Sequence, residues 1–237
     1  MAVATAQADH DLGTAASPAR SSRRAVLWAG GVFSVAFVAS FVLGPRSDIH
    51  DTDSHTLAYY AEDYNKLKGM LGWVLAVVAV LALVWFLAGL VSRLRAAGSH
   101  DSETLGVTLA GGLLAATVTV ASAIRAAPAG DLLMDSEQRA GSSGKLTETF
   151  ADFSQTAGSL YDWLMFFGVG LGAAALVFAV SFAAGRTAVF PRWLRWAGYT
   201  AVPVLAFLAF FNLFVLVLWV VAVSIVTARA PEPSGPL

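Results

Sequence analysis

The chain has 237 residues, of which 57% are hydrophobic and only 13% are charged, and its formal net charge is −1. A soluble domain usually carries about a quarter charged residues, so this composition indicates a fold that is surrounded by lipid. The small net charge gives no electrostatic reason to expect nucleic acid as a partner. The chain contains no cysteine, which excludes disulfides, thiolate metal sites and thiol catalysis.

The first predicted element is a disordered cytoplasmic tail over residues 1–24. It is small and polar, and it ends in Arg20, Arg23 and Arg24. Arginines before an apolar run occur in twin-arginine export signals, and they also flank first membrane spans on the cytoplasmic side. We favour the second interpretation because the apolar run is too long for a signal peptide and further apolar runs follow it.

Four apolar runs then predict transmembrane helices. They cover residues 25–44, 70–91, 105–127 and 159–184. Each has about 20 residues or more, which at a rise of about 1.5 Å per residue is enough to cross a hydrocarbon core of about 30 Å.

The last apolar region, residues 197–228, contains no charged side chain. As one helix it would be about 48 Å long, more than a strongly tilted span needs. A division at Asn212 gives two pieces of about 15 residues, each short for a span. Pro203 allows a kink, whereas no glycine or proline near Asn212 indicates a turn. We therefore predict five spans, the last long and kinked, with six spans as the alternative.

These elements predict an all-α protein, a polytopic transmembrane bundle over residues 25–229 with disordered tails at 1–24 and 230–237. Arg186, Arg192 and Arg195 lie in a short segment without an acid, so this segment is predicted to be cytoplasmic. Alternation then places the N-terminus in the cytoplasm and the loops 45–68 and 128–158 outside. Tryptophans near the predicted inner interface are consistent with this orientation: Trp28, Trp85, Trp193 and Trp196.

Both outer loops show the apolar periodicity of a helix. In the first, Leu57, Tyr60, Ala61, Tyr64 and Leu67 lie on one helical face, and in the second Leu146, Phe150, Phe153 and Ala157 do. The pattern predicts that the second and fourth spans extend outward as amphipathic helices that pack on each other. Such a pair is either a cap that shields the end of the bundle or a lid over a binding cavity.

The charged residues offer two weak candidate sites. His50, Asp51, Asp53 and His55 are capable of binding a metal ion, but a solvated loop explains the same segment and we predict no metal or other cofactor. Arg125 and Asp162 lie at similar depth near the outer ends of two spans. They could pair with each other or, together with Tyr60 and Tyr64, contribute to a binding site.

Polar groups are scarce inside the predicted spans. No Asp, Glu, Lys, Arg or His lies near the middle of one, which counts against an ion-coupled carrier because such carriers need an ionisable group at mid-membrane. Gly168, Gly170 and Gly172 fall in the fourth span. They predict close helix packing, within the chain or in a homodimer, and not a dinucleotide site, which would need a preceding strand.

Two interfacial motifs carry a resemblance to known proteins. Tyr59-Tyr60-Ala61-Glu62-Asp63 precedes a span that ends in Trp85-Phe86-Leu87-Ala88, and Phe190-Pro191-Arg192-Trp193 precedes the final apolar region. Over residues 25–229 the chain resembles a group of uncharacterised polytopic integral membrane proteins common in actinobacteria. The resemblance implies a bundle in a bacterial plasma membrane and supplies no catalytic or binding residues.

Three classes of function fit these observations. The first is a binding, interaction or accessory component of the membrane, whose partners are the lipid bilayer and a protein or a second copy of the chain. The second is a facilitator for a small hydrophobic molecule. The third is an enzyme acting on a lipid or prenyl chain, against which the lack of a paired-acid or histidine motif counts. We predict the first class.

Overall fold

A computed structural model of the chain describes residues 18–43, 63–99, 101–123, 164–187, 189–208 and 211–229. All regular secondary structure in these ranges is helical, which confirms the predicted all-α fold. The elements are α1 (Pro18–Leu43), α2 (Asp63–Ala96), α3 (Ser102–Ala123), a π-helical segment (Leu164–Val169) that continues into α4 (Gly170–Thr187), α5 (Arg192–Phe207) and α6 (Asn212–Arg229).

Five of the described helices are long and apolar enough to cross a membrane, as a multi-pass protein requires. The qualifying segments lie in α1, in α2, in α3, in α4 with the end of the π-helical segment, and in α6. The remaining helix, α5, has 16 residues and is therefore about 24 Å long.

The prediction of one long kinked helix over residues 197–228 is wrong. α5 ends at Phe207 and α6 begins at Asn212, while Pro203 lies inside α5 without ending it. The N–H of Leu208 donates to the carbonyl of Val204 at 2.9 Å, and the N–H of Asn212 donates to the carbonyl of Leu208 at 3.1 Å. Because these bonds pair the backbone groups on both sides of the turn, the break requires neither glycine nor proline.

Among the last three helices, α5 runs antiparallel to α4, and α6 runs antiparallel to α5. Arg195, near the start of α5, lies beside Gly185 near the end of α4, and Leu205 lies beside Gly170 at the start of α4. α6 then returns along α5, since Asn212 also lies beside Gly170 and Trp219 lies beside Gly198. The two ends of α5 therefore lie beside opposite ends of α4.

The start of α1, the end of α2 and the end of α6 meet at one end of the bundle. Ser224 of α6 donates a hydrogen bond of 3.4 Å to the carbonyl of Val26 in α1. Arg93 of α2 donates one of 3.1 Å to the carbonyl of Thr227 in α6. We call this end the arginine face, and its described arginines are Arg23, Arg24, Arg93, Arg95, Arg186, Arg192, Arg195 and Arg229.

The interior is closed by apolar side chains and by glycines at helix crossings. Phe86, Leu87 and Leu90 of α2 are among the largest fully buried side chains. A Cβ on Gly111 of α3 would lie only 2.8 Å from the carbonyl oxygen of Gly172 in α4. Helices in lipid gain little from burying apolar surface, so such backbone contact between small residues is a main source of their packing energy.

Two helices begin earlier in the chain than the sequence predicts. α1 starts at Pro18 and so includes the last residues of the segment predicted as a disordered tail. α2 starts at Asp63, before the span predicted from residue 70, so part of the predicted outward extension is continuous with this helix. Its stripe residues Tyr64 and Leu67 are 72% and 58% exposed. The second predicted stripe, residues 146–157, lies outside the described residues.

Candidate functional site

Of the residues that the sequence indicates as sites, the structure describes one. Tyr64 lies in the first turn of α2 and is exposed. The other candidates lie outside the described residues: Tyr60, Arg125, Asp162, His50, Asp51, Asp53 and His55. The predicted pairing of Arg125 with Asp162 and the weak metal candidate therefore stay predictions.

The most distinctive charged region of the described chain is the arginine face. It has eight arginines against two acids, Asp101 and Glu103. The two lysines of the described ranges, at positions 66 and 68, lie at the opposite end of α2. Guanidinium groups at the ends of several helices thus create a strongly positive surface at one end of the bundle.

Arg93 connects α2 to α6 at this face. It is partly buried, and its Nη1 donates to the carbonyl oxygen of Thr227 at 3.1 Å. This carbonyl belongs to the last turn of α6, where carbonyls have no partner within the helix and the helix dipole is negative. The guanidinium carbon of Arg93 also lies 5.8 Å from the centre of the Phe190 ring, in the segment before α5. Arg93 therefore joins three parts of the chain.

Asp101 and Arg186 form a second connection, between α3 and α4. Asp101 precedes α3 and accepts hydrogen bonds from the N–H of Glu103 at 3.1 Å, the N–H of Thr104 at 3.4 Å and the hydroxyl of Thr104 at 2.6 Å. Arg186 Nη1 lies 3.0 Å from its Oδ2. The hydroxyl and N–H of Thr104, with the Arg186 charge as a smaller cause, hold the pKa of Asp101 below its ordinary value.

The sequence contains part of this signal. Aspartate before a helix is a favoured N-cap, so Asp101 could have been recognised from its place before the third apolar run. Its partner Arg186 is 85 residues away, and no local pattern indicates that pair. The same holds for Arg93 and Thr227, which are 134 residues apart.

The other exposed arginines have no ion pair with an acid among the described residues. They are Arg24, Arg95, Arg192 and Arg229, and they come from four different helices. Exposed tryptophans lie within about one helical turn of two of these arginines, Trp28 beside Arg24 and Trp193 and Trp196 beside Arg192. Exposed Trp85 lies ten residues before Arg95. Such tryptophans are typical of a membrane interface.

One buried hydroxyl near Arg93 has no partner. Thr227 is fully buried, and its Oγ1 has no hydrogen bond in the described part of the chain. Two other buried hydroxyls of the spans bond within their own helix: Thr108 Oγ1 donates to the Thr104 carbonyl at 2.8 Å and Thr119 Oγ1 to the Ala115 carbonyl at 2.7 Å. The buried Ser224 hydroxyl bonds across to α1 instead.

At the opposite end of the α5–α6 pair, Asn212 is buried, with 1% of its surface exposed. It begins α6, and its Nδ2 would lie 3.1 Å from a Cβ on Gly170. Gly170 therefore leaves the space in which this amide packs between α4 and the turn. This position gives Asn212 a packing role, which is the more common use of an amide within a membrane span.

The glycines of the fourth span pack within the chain. A Cβ on Gly168 would lie 2.8 Å from a methyl group of Val118, one on Gly170 would lie 2.6 Å from the carbonyl oxygen of Leu205, and one on Gly172 would lie 2.7 Å from the backbone nitrogen of Ala115. Because these faces are occupied by α3 and α5, the internal packing that the sequence predicts accounts for all three.

Comparison with known proteins supplies no relative. No family model matches the chain. No curated protein matches it, and no solved structure does.

Proposed function

We propose that the protein is an accessory binding component of a bacterial plasma membrane, with its N-terminus and arginine face in the cytoplasm. In this proposal the arginine face binds anionic phospholipid headgroups. The observation that carries it is the accumulation of eight arginines, and of no lysine, at the described ends of the helices on this side.

The choice of arginine supports phosphate as the ligand. A guanidinium group is planar and donates two parallel hydrogen bonds to one phosphate, whereas an ammonium group acts as a point charge. Arg24, Arg95, Arg192 and Arg229 are exposed, so their donors are available to headgroups. Each basic residue near an anionic membrane surface contributes about 1 kcal/mol to such binding.

The orientation rests on the same residues. Positively charged residues are retained on the cytoplasmic side of membrane spans, and short loops carry this bias most clearly. The connection between α4 and α5 is short, with Arg186 in the last turn of α4 and Arg192 at the start of α5. The orientation is thus the one that the sequence predicts.

The packing of the bundle supports binding in preference to transport. Gly111 and Gly172 bring the backbones of α3 and α4 into contact. The middle parts of the described helices contain no Asp, Glu, Lys, Arg or His. A bundle of this kind is a rigid support for groups at its ends, and the described interior supplies no ionisable group for coupled transport.

The test compares lipid retention in two matched variants. The protein is reconstituted with equal amounts of phosphatidylglycerol and phosphatidylethanolamine, and the lipids that remain bound after mild detergent extraction are measured by native mass spectrometry. The wild type is expected to retain phosphatidylglycerol preferentially. The double variant Arg95→Gln with Arg192→Gln should lower this preference about thirtyfold, since two interactions of about 1 kcal/mol are removed.

The control is the double variant Lys66→Gln with Lys68→Gln, which removes the same charge from the opposite end of α2 and should retain the wild-type preference. Equal retention of the two lipids by the wild type would contradict the proposal. A stoichiometric small molecule that is not a phospholipid, retained in place of the lipids, would instead support a facilitator or an enzyme.

A further inference from the structure

The turn that joins α5 to α6 presents an aromatic, apolar surface. We call its exposed side chains the α5–α6 tip, which consists of Phe207, Leu208, Phe211 and Phe214, with exposed fractions of 85%, 52%, 57% and 52%. The two intervening residues, Ala209 and Phe210, are also apolar. Turns in water are dominated by Gly, Pro, Asn, Asp and Ser. The composition of this turn is suited to hydrocarbon.

The backbone of the turn is compatible with a medium that offers no hydrogen bonds. Besides the bonds at Leu208 and Asn212, the N–H of Phe211 donates to the carbonyl of Leu208 at 2.8 Å, and the N–H of Val215 donates to the carbonyl of Phe211 at 3.0 Å. In lipid each polar backbone group must be paired within the protein. The described N–H groups of the turn, those of Leu208, Phe211 and Asn212, all have such a partner.

The distance from the arginine face shows how deep the tip lies. Gly170, which touches both Leu205 and Asn212, precedes Arg186 by 16 residues of α4, or about 24 Å. Leu208 lies three residues beyond Leu205, about 5 Å further, so the tip is about 29 Å from the level of Arg186. A typical hydrocarbon core is about 30 Å thick, so this distance alone brings the tip close to the far boundary, and the lengths of the neighbouring helices decide on which side of the boundary it lies.

Neighbouring helices continue past the level of the tip. Leu213 of α6 packs against a small buried cluster that consists of Ala115 and Val118 of α3 and of Val169. α3 continues beyond Val118 to Ala123, about 7 Å further.

α2 extends further still. Phe214 contacts Phe41 of α1, with ring centres 6.3 Å apart. Gly30 of α1 lies beside Phe86 of the antiparallel α2, so Phe41 is level with about residue 75. Lys68 is then about 10 Å further out than Phe214, and about 6 Å further out than Phe211, which precedes Phe214 by three residues. The charged end of α2, and with it the polar boundary on that side, lies beyond the tip.

From these depths we propose that the α5–α6 tip ends inside the hydrocarbon, where lipid acyl chains cover its aromatic side chains. The helix pair enters and leaves the membrane through the arginine face, and Arg229 lies on the same side as Arg24 at the start of α1. The α5–α6 tip contains none of the exposed arginines that are proposed to bind headgroups, so the inference does not depend on the proposed function.

Single cysteines test this arrangement directly, because the native chain contains none. Leu208→Cys places the thiol at the tip, Tyr64→Cys at the exposed start of α2, and Ala228→Cys at the exposed end of α6. Each full-length variant is reconstituted in phosphatidylcholine vesicles and treated with a membrane-impermeant sulfonated maleimide, before and after the vesicles are opened. A second sample carries a bimane label, whose fluorescence is measured with nitroxide quenchers attached to the lipid acyl chains.

The expected result is that the Leu208→Cys thiol reacts with the impermeant maleimide at least tenfold more slowly than the other two, from both sides, and that its bimane label is the most strongly quenched. Tyr64→Cys and Ala228→Cys should react from opposite sides of the vesicle. Reaction of Leu208→Cys at a rate within twofold of Tyr64→Cys would place the tip in water. A thiol that neither reacts nor is quenched would be covered by protein. Either of these results, or reaction of Tyr64→Cys and Ala228→Cys from the same side, would overturn the inference.

Discussion

The contact between α3 and α4 gives the most quantitative prediction. A Cβ added to Gly111 would lie 2.7 Å from the backbone nitrogen of Leu176, 2.8 Å from the carbonyl oxygen of Gly172 and 3.0 Å from the Cβ of Ala175. Two of these neighbours are backbone atoms, which cannot rotate away, so Gly111→Ala must separate the helices. Overpacking of this kind costs about 1–3 kcal/mol. Alanine also favours a helix over glycine by about 1 kcal/mol, which offsets part of this cost.

Gly106 supplies the matched control, because it lies on the same helix and a Cβ there would meet no atom within 4 Å. Gly106→Ala should therefore be neutral or stabilising by up to about 1 kcal/mol. The free energy of unfolding of both variants is measured in mixed micelles by titration with sodium dodecyl sulfate, with helix content followed by circular dichroism. The expected difference between the two variants is about 1–3 kcal/mol, equal to the overpacking cost alone. Equal stabilities would refute the assignment of Gly111 to a backbone contact.

Two further predictions concern the arginine face. Arg93→Gln should lower the free energy of unfolding by about 1–2 kcal/mol, because the hydrogen bond to the last turn of α6 is charge-assisted but partly exposed. The control is Arg95→Gln, at an exposed position, which should change this free energy by less than about 0.5 kcal/mol. Comparable losses for the two variants in the same titration would show that the bond contributes little. The pKa of Asp101 is lowered in the folded state, so its stabilising effect is present at neutral pH and disappears as the pH falls below about 4 and through the folded pKa. Asp101→Asn should accordingly unfold at a lower temperature than the wild type at pH 7 and at the same temperature in acid, with Glu103→Gln as the neutral control. A temperature difference that persists in acid would show that the charge of Asp101 is not the source of the stabilisation.

The sequence is sufficient to predict the parts of the fold that depend on the composition of a continuous segment. Apolar runs of about 20 residues identify spans because the thickness of the hydrocarbon core fixes their length. The contacts at the arginine face could not be predicted in the same way. Arg93 and Thr227, like Asp101 and Arg186, meet only because the bundle brings distant helix ends together. The candidate residues of the outer loops, of which only Tyr64 is described, remain predictions.

The break between α5 and α6 was missed because the rules for recognising turns describe turns in water. Glycine, proline and asparagine mark such turns partly because they are polar or conformationally permissive. A turn surrounded by lipid needs paired backbone groups instead, and the bonds at Leu208 supply them without any special residue. The segment 197–228 lacks the usual turn-forming residues near Asn212, and for this reason the sequence favours one long helix. The same apolar composition makes the turn compatible with a hydrocarbon environment.

The position of Arg229 connects this local argument to the whole bundle. A single last span would carry Arg229 to the side opposite Arg192 and Arg195, against the tendency of arginines next to spans to remain on one side. With the chain reversed at Leu208, α6 returns antiparallel to α5, and the Thr227 carbonyl comes within 3.1 Å of Arg93. All eight arginines with described side chains then lie at the same end of the bundle. The reversal of the chain and the distribution of the arginines thus lead independently to the same topology, in which α5 and α6 both have a charged end at the arginine face. The turn between them is apolar because it lies opposite this face, the only strongly charged one that the described chain forms.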